Sequence, residues 1–247
     1  MFSKQFKLDS ELTNEFLGEL HCWNSSDCNL SLFVRRFDVS LFTPTLFEFY
    51  GIPCPDGIKR SIDKRQSEFL AGRICARDAL LMSGFTKADV PTIHIGSNRS
   101  PIWPQGYTGS ITHTSSIAAC VIAKSTQFNY LGLDIERIIP TSCLMDIASM
   151  VCNSTEWNRF TVSGLSKAEF ITVIFSAKEA LFKATYPKVL QYFDFDRATL
   201  TAWDSDSKTI KLELCNSFAQ QHQLPSSFLI NYALFNREAI TLLSVKK

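Results

Sequence analysis

Four stretches of the chain keep a regular spacing of apolar and polar positions for longer than one turn of structure. From Lys64 to Ser83, closed by Gly84, the residues Phe69, Leu70, Ile74, Leu80 and Leu81 fall on one stripe of a 3.6-residue wheel, which predicts a helix. From Gly106 to Ala123, two apolar-rich runs flank Ser115-Ser116, which predicts a hairpin. Leu131, Leu133 and Ile135 alternate with Gly132, Asp134 and Glu136, the period of a two-faced strand. From Lys167 to about residue 185, a helix is predicted between the capping box Ser166-Lys167-Ala168-Glu169 and a stop at Pro187. Its wheel has two apolar faces, one with Phe170, Val173, Ala177 and Leu181, the other with Ile171, Phe175 and Phe182, so the helix is expected to be largely buried. Further strands are predicted near 198–203, 208–214 and 228–245, and Leu144, Met145, Ile147 and Met150 have helical spacing within 141–160.

The chemistry sits where these patterns are interrupted. Asp134 and Glu136 project from the same face of one strand and repel each other unless solvent or a cation intervenes. A hard divalent ion such as Mg2+ prefers such oxygen ligands; a solvated strand edge is the bland alternative. Gly132 shares that face and leaves room for a ligand to approach the backbone. Glu179 and Lys183 lie one turn apart on the strip between two apolar faces, either as a helical ion pair or as partners for a ligand. Arg73 and Arg77 stand inside the apolar stripe of the first helix, where each guanidinium needs an anion, an internal carboxylate or a ligand phosphate. The loop Arg99-Ser100-Pro101-Ile102-Trp103-Pro104 could bring Arg99 and His113 to one ligand.

Composition narrows the class. A chain of 247 residues, 45% hydrophobic, can bury one large core or two smaller ones. Lys59, Arg60, Lys64, Arg65 and Arg99 concentrate positive charge locally, yet the net charge is only +1, which favours an anion site over a nucleic-acid surface. Neither a transmembrane run nor a signal peptide is visible, since the apolar stretch 117–123 is far too short to span a bilayer. Eight cysteines without CxxC or zinc-type spacing read as reduced thiols in a cytoplasmic protein.

Five motifs in order resemble one family: Glu68-x-x-Ala71-Gly72-Arg73, Arg99-x-Pro101-x-Trp103-Pro104-x-Gly106, Gly109-Ser110-Ile111-Thr112-His113, Gly132-Leu133-Asp134-Ile135-Glu136 and Phe175-Ser176-Ala177-Lys178-Glu179. They are similar to the Sfp-type 4′-phosphopantetheinyl transferases, particularly the enterobactin synthase component D branch, over about residues 60–200. The resemblance implies transfer of the phosphopantetheine arm of coenzyme A to a serine of an apo acyl, peptidyl or aryl carrier protein, in siderophore or nonribosomal peptide synthesis. By that resemblance, Asp134, Glu136 and Glu179 hold Mg2+, Lys183 neutralises phosphate charge and Glu179 is the candidate base. Arg99 and His113, assisted by Arg65 and Arg73, take the phosphates of coenzyme A.

The expected architecture is α+β: a pseudo-twofold pair of similar subdomains, residues 1–124 and 125–247, with the active site between them and the chain a monomer. Each half offers an extended segment, a long helix and then strands. The segment 141–160 is expected to pack in the core or to dock a carrier-protein helix. A catalytically inactive relative that only binds carrier proteins is the alternative, and the presence of Asp134, Glu136, Glu179 and Lys183 speaks against it. Another Mg2+-dependent nucleotide enzyme would be expected to carry a Gly-rich phosphate loop, and the sequence has none.

Overall fold

The computed structural model describes residues 2–8, 15–25 and 30–247, so Cys28 lies outside the described residues. The chain divides into two compact units, residues 2–127 and 128–247, each of α+β class as the pattern predicts.

The N-terminal unit contains β1 (Phe2–Leu8), β2 (Leu17–Ser25), β3 (Ser31–Phe37), α1 (Leu46–Phe49), α2 (Asp56–Lys59) and α3 (Asp63–Met82). They are followed by β4 (His94–Ile95), β5 (Pro101–Ile102), β6 (Tyr107–His113) and β7 (Ile117–Lys124). Five strands form an antiparallel sheet in the order β1-β2-β3-β7-β6, and β4 pairs with β5 separately. The predicted helix and hairpin are α3 and β6-β7; in the turn, Ser116 and Ile117 donate their N–H groups to Thr114 Oγ1 at 3.3 and 3.2 Å. Helix α3 packs on β7 and β3, burying Phe69, Leu70, Ile74 and Leu80. A buried ion pair crosses that seam: Arg35 Nε on β3 donates to Asp78 Oδ2 on α3 at 2.6 Å, and Arg35 Nη1 donates to the Gly18 carbonyl at 2.8 Å. Burial pushes the Asp78 carboxyl above its ordinary value and the Arg35 charge opposes that shift.

The C-terminal unit contains β8 (Phe128–Arg137), α4 (Leu144–Val151), α5 (Ser154–Trp157), α6 (Phe160–Ser163) and α7 (Lys167–Val189). Then come β9 (Ala198–Asp204), β10 (Thr209–Leu214), α8 (Asn216–Gln221), β11 (Ser227–Phe235) and β12 (Glu238–Lys246). Its sheet, β8-β12-β11-β10-β9, is also antiparallel and five-stranded. The apolar span 228–245 is a hairpin, turned at Asn236 and Arg237, whose φ values of 48° and 68° are left-handed as a two-residue hairpin turn requires.

The capping box at Ser166 forms as predicted, with Glu169 N–H donating to Ser166 Oγ at 3.3 Å and Ser166 N–H donating to Glu169 Oε2 at 2.9 Å. The predicted stop at Pro187 is corrected, because α7 continues to Val189 and ends at Leu190, where φ is 56°. A proline in the last turn removes only one backbone bond, and its ring is accommodated there. The reading of Gly132 is corrected as well. A Cβ at Gly132 would lie 2.0 Å from the Ala180 carbonyl oxygen and 2.8 Å from the Ala184 nitrogen, so the helix backbone, not a ligand, occupies that space. Glycine therefore seats α7 directly against β8, which fixes the height of Asp134 beneath the helix.

Both units share one core connection. A strand leads into the long helix and then a hairpin, and the first strand pairs with the hairpin's second strand: β3-α3-β6-β7 in one unit, β8-α7-β11-β12 in the other. The extra strands are added on opposite edges, β1-β2 beside β3 and β9-β10 beside β11.

Candidate active site

In the C-terminal unit the strand period and the helix period converge. Asp134 projects from β8 toward α7 and is 2% exposed. Lys183 Nζ on α7 donates to Asp134 Oδ1 at 2.6 Å and to the Leu133 carbonyl at 3.3 Å. The ammonium thus pairs across to the sheet and not one turn back along the helix, so the expected helical ion pair with Glu179 is not the contact that Lys183 makes. Glu136 and Glu179 are half-buried around this pair, and among the described residues neither carboxylate makes a side-chain hydrogen bond or ion pair. The Glu136 carboxyl is pushed up to about 8, chiefly by burial, with Asp134 and Glu179 contributing to the rise and Lys183 opposing it. Burial also raises Glu179, with Lys183 opposing and Asp134 adding to the shift. One ammonium is not enough to keep all three carboxyls ionised, and a further cation at the site would favour their charged forms.

Among the described residues, no group of three or more His, Cys, Asp or Glu side chains stands ready-assembled around a metal position. The donor set nevertheless fits a hard divalent cation, because all three side chains offer anionic oxygen and two of them have no counter-charge of their own.

The neighbouring residues Lys178 and Glu179 have different surroundings. Lys178 is 4% exposed in its side chain and is consumed by structure: Nζ donates to the Val151 carbonyl at 2.8 Å and lies 2.8 Å from Glu156 Oε1. Glu156 in turn accepts from the Leu200 N–H at 2.8 Å. This buried pair was missed in the sequence; the polar residue set within an otherwise apolar helix face was its available signal.

In the N-terminal unit, a cavity of about 580 Å3 gathers Arg65, Arg73, Arg99 and His113 in its lining. Arg65 Nη1 donates to His113 Nε2 at 2.9 Å, which leaves Nδ1 as the protonated nitrogen, 3.8 Å from Glu68 Oε2. The same Glu68 oxygen lies 3.8 Å from Arg65. Glu68 therefore faces both Arg65 and His113, a role its place in the helix motif did not disclose. Arg99 enters from a loop in which Asn98 and Arg99 have φ values of 48° and 64°, consecutive left-handed residues of the kind that turn a chain sharply at a binding loop. Arg73 lies over the Phe69 ring, 4.5 Å from its centroid, and is 8% exposed. Burial pushes its guanidinium down to about 10, still protonated at neutral pH.

Residues 55–123 match the family described as the 4′-phosphopantetheinyl transferase N-terminal domain, and residues 130–240 match the 4′-phosphopantetheinyl transferase superfamily. The chain is 34% identical over 188 residues to enterobactin synthase component D of Salmonella typhi, covering 76% of this chain and 75% of that protein. It is 33% identical over 160 residues to the 4′-phosphopantetheinyl transferase Svp of Streptomyces mobaraensis, covering 64% and 62%. With the 4′-phosphopantetheinyl transferase PptT of Mycobacterium tuberculosis, identity is 31% over 152 residues, covering 61% and 63%. A relative matched over three quarters of its length, with both halves of the chain recognised separately, makes this chain a member of the 4′-phosphopantetheinyl transferase superfamily.

Proposed function

We propose that this transferase moves the phosphopantetheine arm of coenzyme A onto a serine of apo carrier proteins of siderophore or nonribosomal peptide synthesis, peptidyl and aryl carriers in particular. The observation that carries the reading is the Asp134–Lys183 pair set among Glu136 and Glu179, a concentration of opposite charges suited to a phosphate bound through a cation. The similarity to enterobactin synthase component D supports the choice of carrier.

The serine Oγ attacks the β-phosphorus of coenzyme A, the bond to the bridging oxygen breaks, and adenosine 3′,5′-bisphosphate leaves. Lys183 offsets the charge that grows on the departing phosphate, an electrostatic contribution that needs no reorganisation in a half-buried site. Glu179, whose carboxylate makes no hydrogen bond or ion pair among the described residues, accepts the serine proton directly or through a water. Asp134, Glu136 and Glu179 would hold Mg2+, which when bound supplies positive charge against the pyrophosphate. Arg99 and His113 take the 3′-phosphate of the nucleotide, with Arg65 and Arg73 beside them, so binding energy from a remote group positions the reacting one. The exposed side chains of Met145 and Met150, 66% and 64% exposed on α4, offer an apolar surface for the carrier.

We take the chain as a monomer of the cytoplasm, in keeping with described cysteines that are all free thiols. Among the described residues, no helix is long and apolar enough to cross a membrane. The test is incubation with coenzyme A, Mg2+ and an apo peptidyl carrier, followed by intact-mass measurement of the carrier. Gain of the arm, lost on chelation of the metal, is the expected result; an unmodified carrier under conditions where a known transferase modifies it would overturn the reading.

A further inference from the structure

The N-terminal unit has a second and larger cavity beside the one that gathers Arg65, Arg99 and His113. Its volume is about 660 Å3, within the range of small-molecule sites, and it lies along the side of α3 that carries Arg77. Phe69, Leu81, Phe85, Val90 and Ile93 make its walls apolar. Against those walls stand two guanidinium groups, Arg73 and Arg77.

Both are incompletely satisfied. Arg77 donates through Nη1 to the Tyr50 carbonyl, whereas its Nη2 is buried without a hydrogen-bond partner. Arg73 is 8% exposed and its Nε is likewise buried without a partner. Among the described residues, neither arginine makes a close ion pair with a carboxylate, although Asp78 attracts Arg77 from a distance. Asp78, the one acidic residue in the lining, is engaged by Arg35 at 2.6 Å. Lys87 and His94 also line the cavity and add no negative charge. A buried guanidinium N–H without an acceptor is costly, and both arginines lining this apolar cavity carry one.

We propose that this cavity binds a monocarboxylate with an apolar body, its carboxylate accepting from Arg73 Nε and Arg77 Nη2 and its hydrocarbon part lying against Phe69, Leu81 and Phe85. A singly charged head is favoured over a phosphate dianion because only two unsatisfied donors are offered and Asp78 stands in the same wall. The site is distinct from the cavity lined by Arg65, Arg99 and His113, although Arg73 borders both.

Decanoate titrated calorimetrically into the full chain, without coenzyme A, is the test. It is expected to bind at one saturable site, with decanol at least about tenfold weaker, the difference expected from losing charge-assisted hydrogen bonds. Arg77→Met is expected to weaken decanoate by about tenfold or more while its melting curve stays cooperative. Should Arg77→Met not fold, Met82→Glu serves instead: Met82 lines the cavity yet is 56% exposed, so a carboxylate there is tolerated and repels the ligand, weakening it at least about threefold. Absence of saturable binding, equal affinity for decanol, or unchanged decanoate affinity in the folded variant tested would overturn the proposal.

Discussion

The two units build the same strand-helix-hairpin frame and place an ion pair across the same seam, with the charges exchanged. In the N-terminal unit the strand supplies the cation and the helix the anion, Arg35 with Asp78; in the C-terminal unit the strand supplies the anion and the helix the cation, Asp134 with Lys183. Both contacts measure 2.6 Å. The surroundings differ. Side chains of the first pair are 0% and 4% exposed, and one carboxylate meets one guanidinium at close range. Lys183 keeps 27% of its side chain exposed, and Glu136 and Glu179 add two further carboxylates to a site that one ammonium cannot balance. An enclosed one-to-one pair reads as structure. A half-open pair with further carboxyls beside it reads as a site awaiting a ligand.

Substitutions can break each side of this comparison. The largest effect is expected at Gly132→Val: side-chain atoms placed where the Ala180 carbonyl already stands at 2.0 Å should prevent α7 from seating on β8, with loss of cooperative melting followed by circular dichroism. Arg35→Met comes next, because it strands a buried carboxylate; about 3–5 kcal/mol of stability should be lost in denaturant titration. Asp134→Asn keeps the shape of the other pair but removes the charge, and turnover should fall roughly 10²- to 10³-fold in a carrier-modification assay. That variant is not expected to be free of structural cost, since Asp134 is tied to Lys183 at 2.6 Å and is not merely one of two repelling carboxylates. The smallest effect belongs to the nucleotide cavity: His113→Ala should weaken coenzyme A by about tenfold and narrow the preference for coenzyme A over dephospho-coenzyme A, measured by calorimetry. Unchanged discrimination between the two would show that His113 does not read the 3′-phosphate.

Much of this was legible in the chain before its fold was known, and for identifiable reasons. Periodicity located α3, the β6-β7 hairpin, β8 and α7, because each buries a face at a fixed repeat. The charged residues of interest stood out as breaks in those repeats. What periodicity could not supply was partner choice between distant elements. Lys183 lies one turn from Glu179 in sequence yet bonds Asp134, because Gly132 brings strand and helix together below the usual spacing. The same limit hid Lys178–Glu156 and Glu68–His113, contacts between residues far apart in the chain. Pro187 misled for a different reason: proline breaks helix interiors, but in the last turn it removes only one bond.

The central claim is that the Asp134–Lys183 pair serves transfer and the Arg35–Asp78 pair serves the fold. Measuring turnover and melting temperature together for Lys183→Met and Arg35→Met tests it directly. Lys183→Met takes the cation from the buried Asp134 carboxylate as well, so it is expected to lose about 10²-fold or more in turnover with a fall in melting temperature smaller than that of Arg35→Met, because the Lys183 end of the pair is 27% exposed. Arg35→Met should show the reverse, a large fall in melting temperature with turnover largely kept at temperatures where it remains folded. Turnover of Lys183→Met within about threefold of the unaltered enzyme, less than one kcal/mol of barrier, would contradict the account.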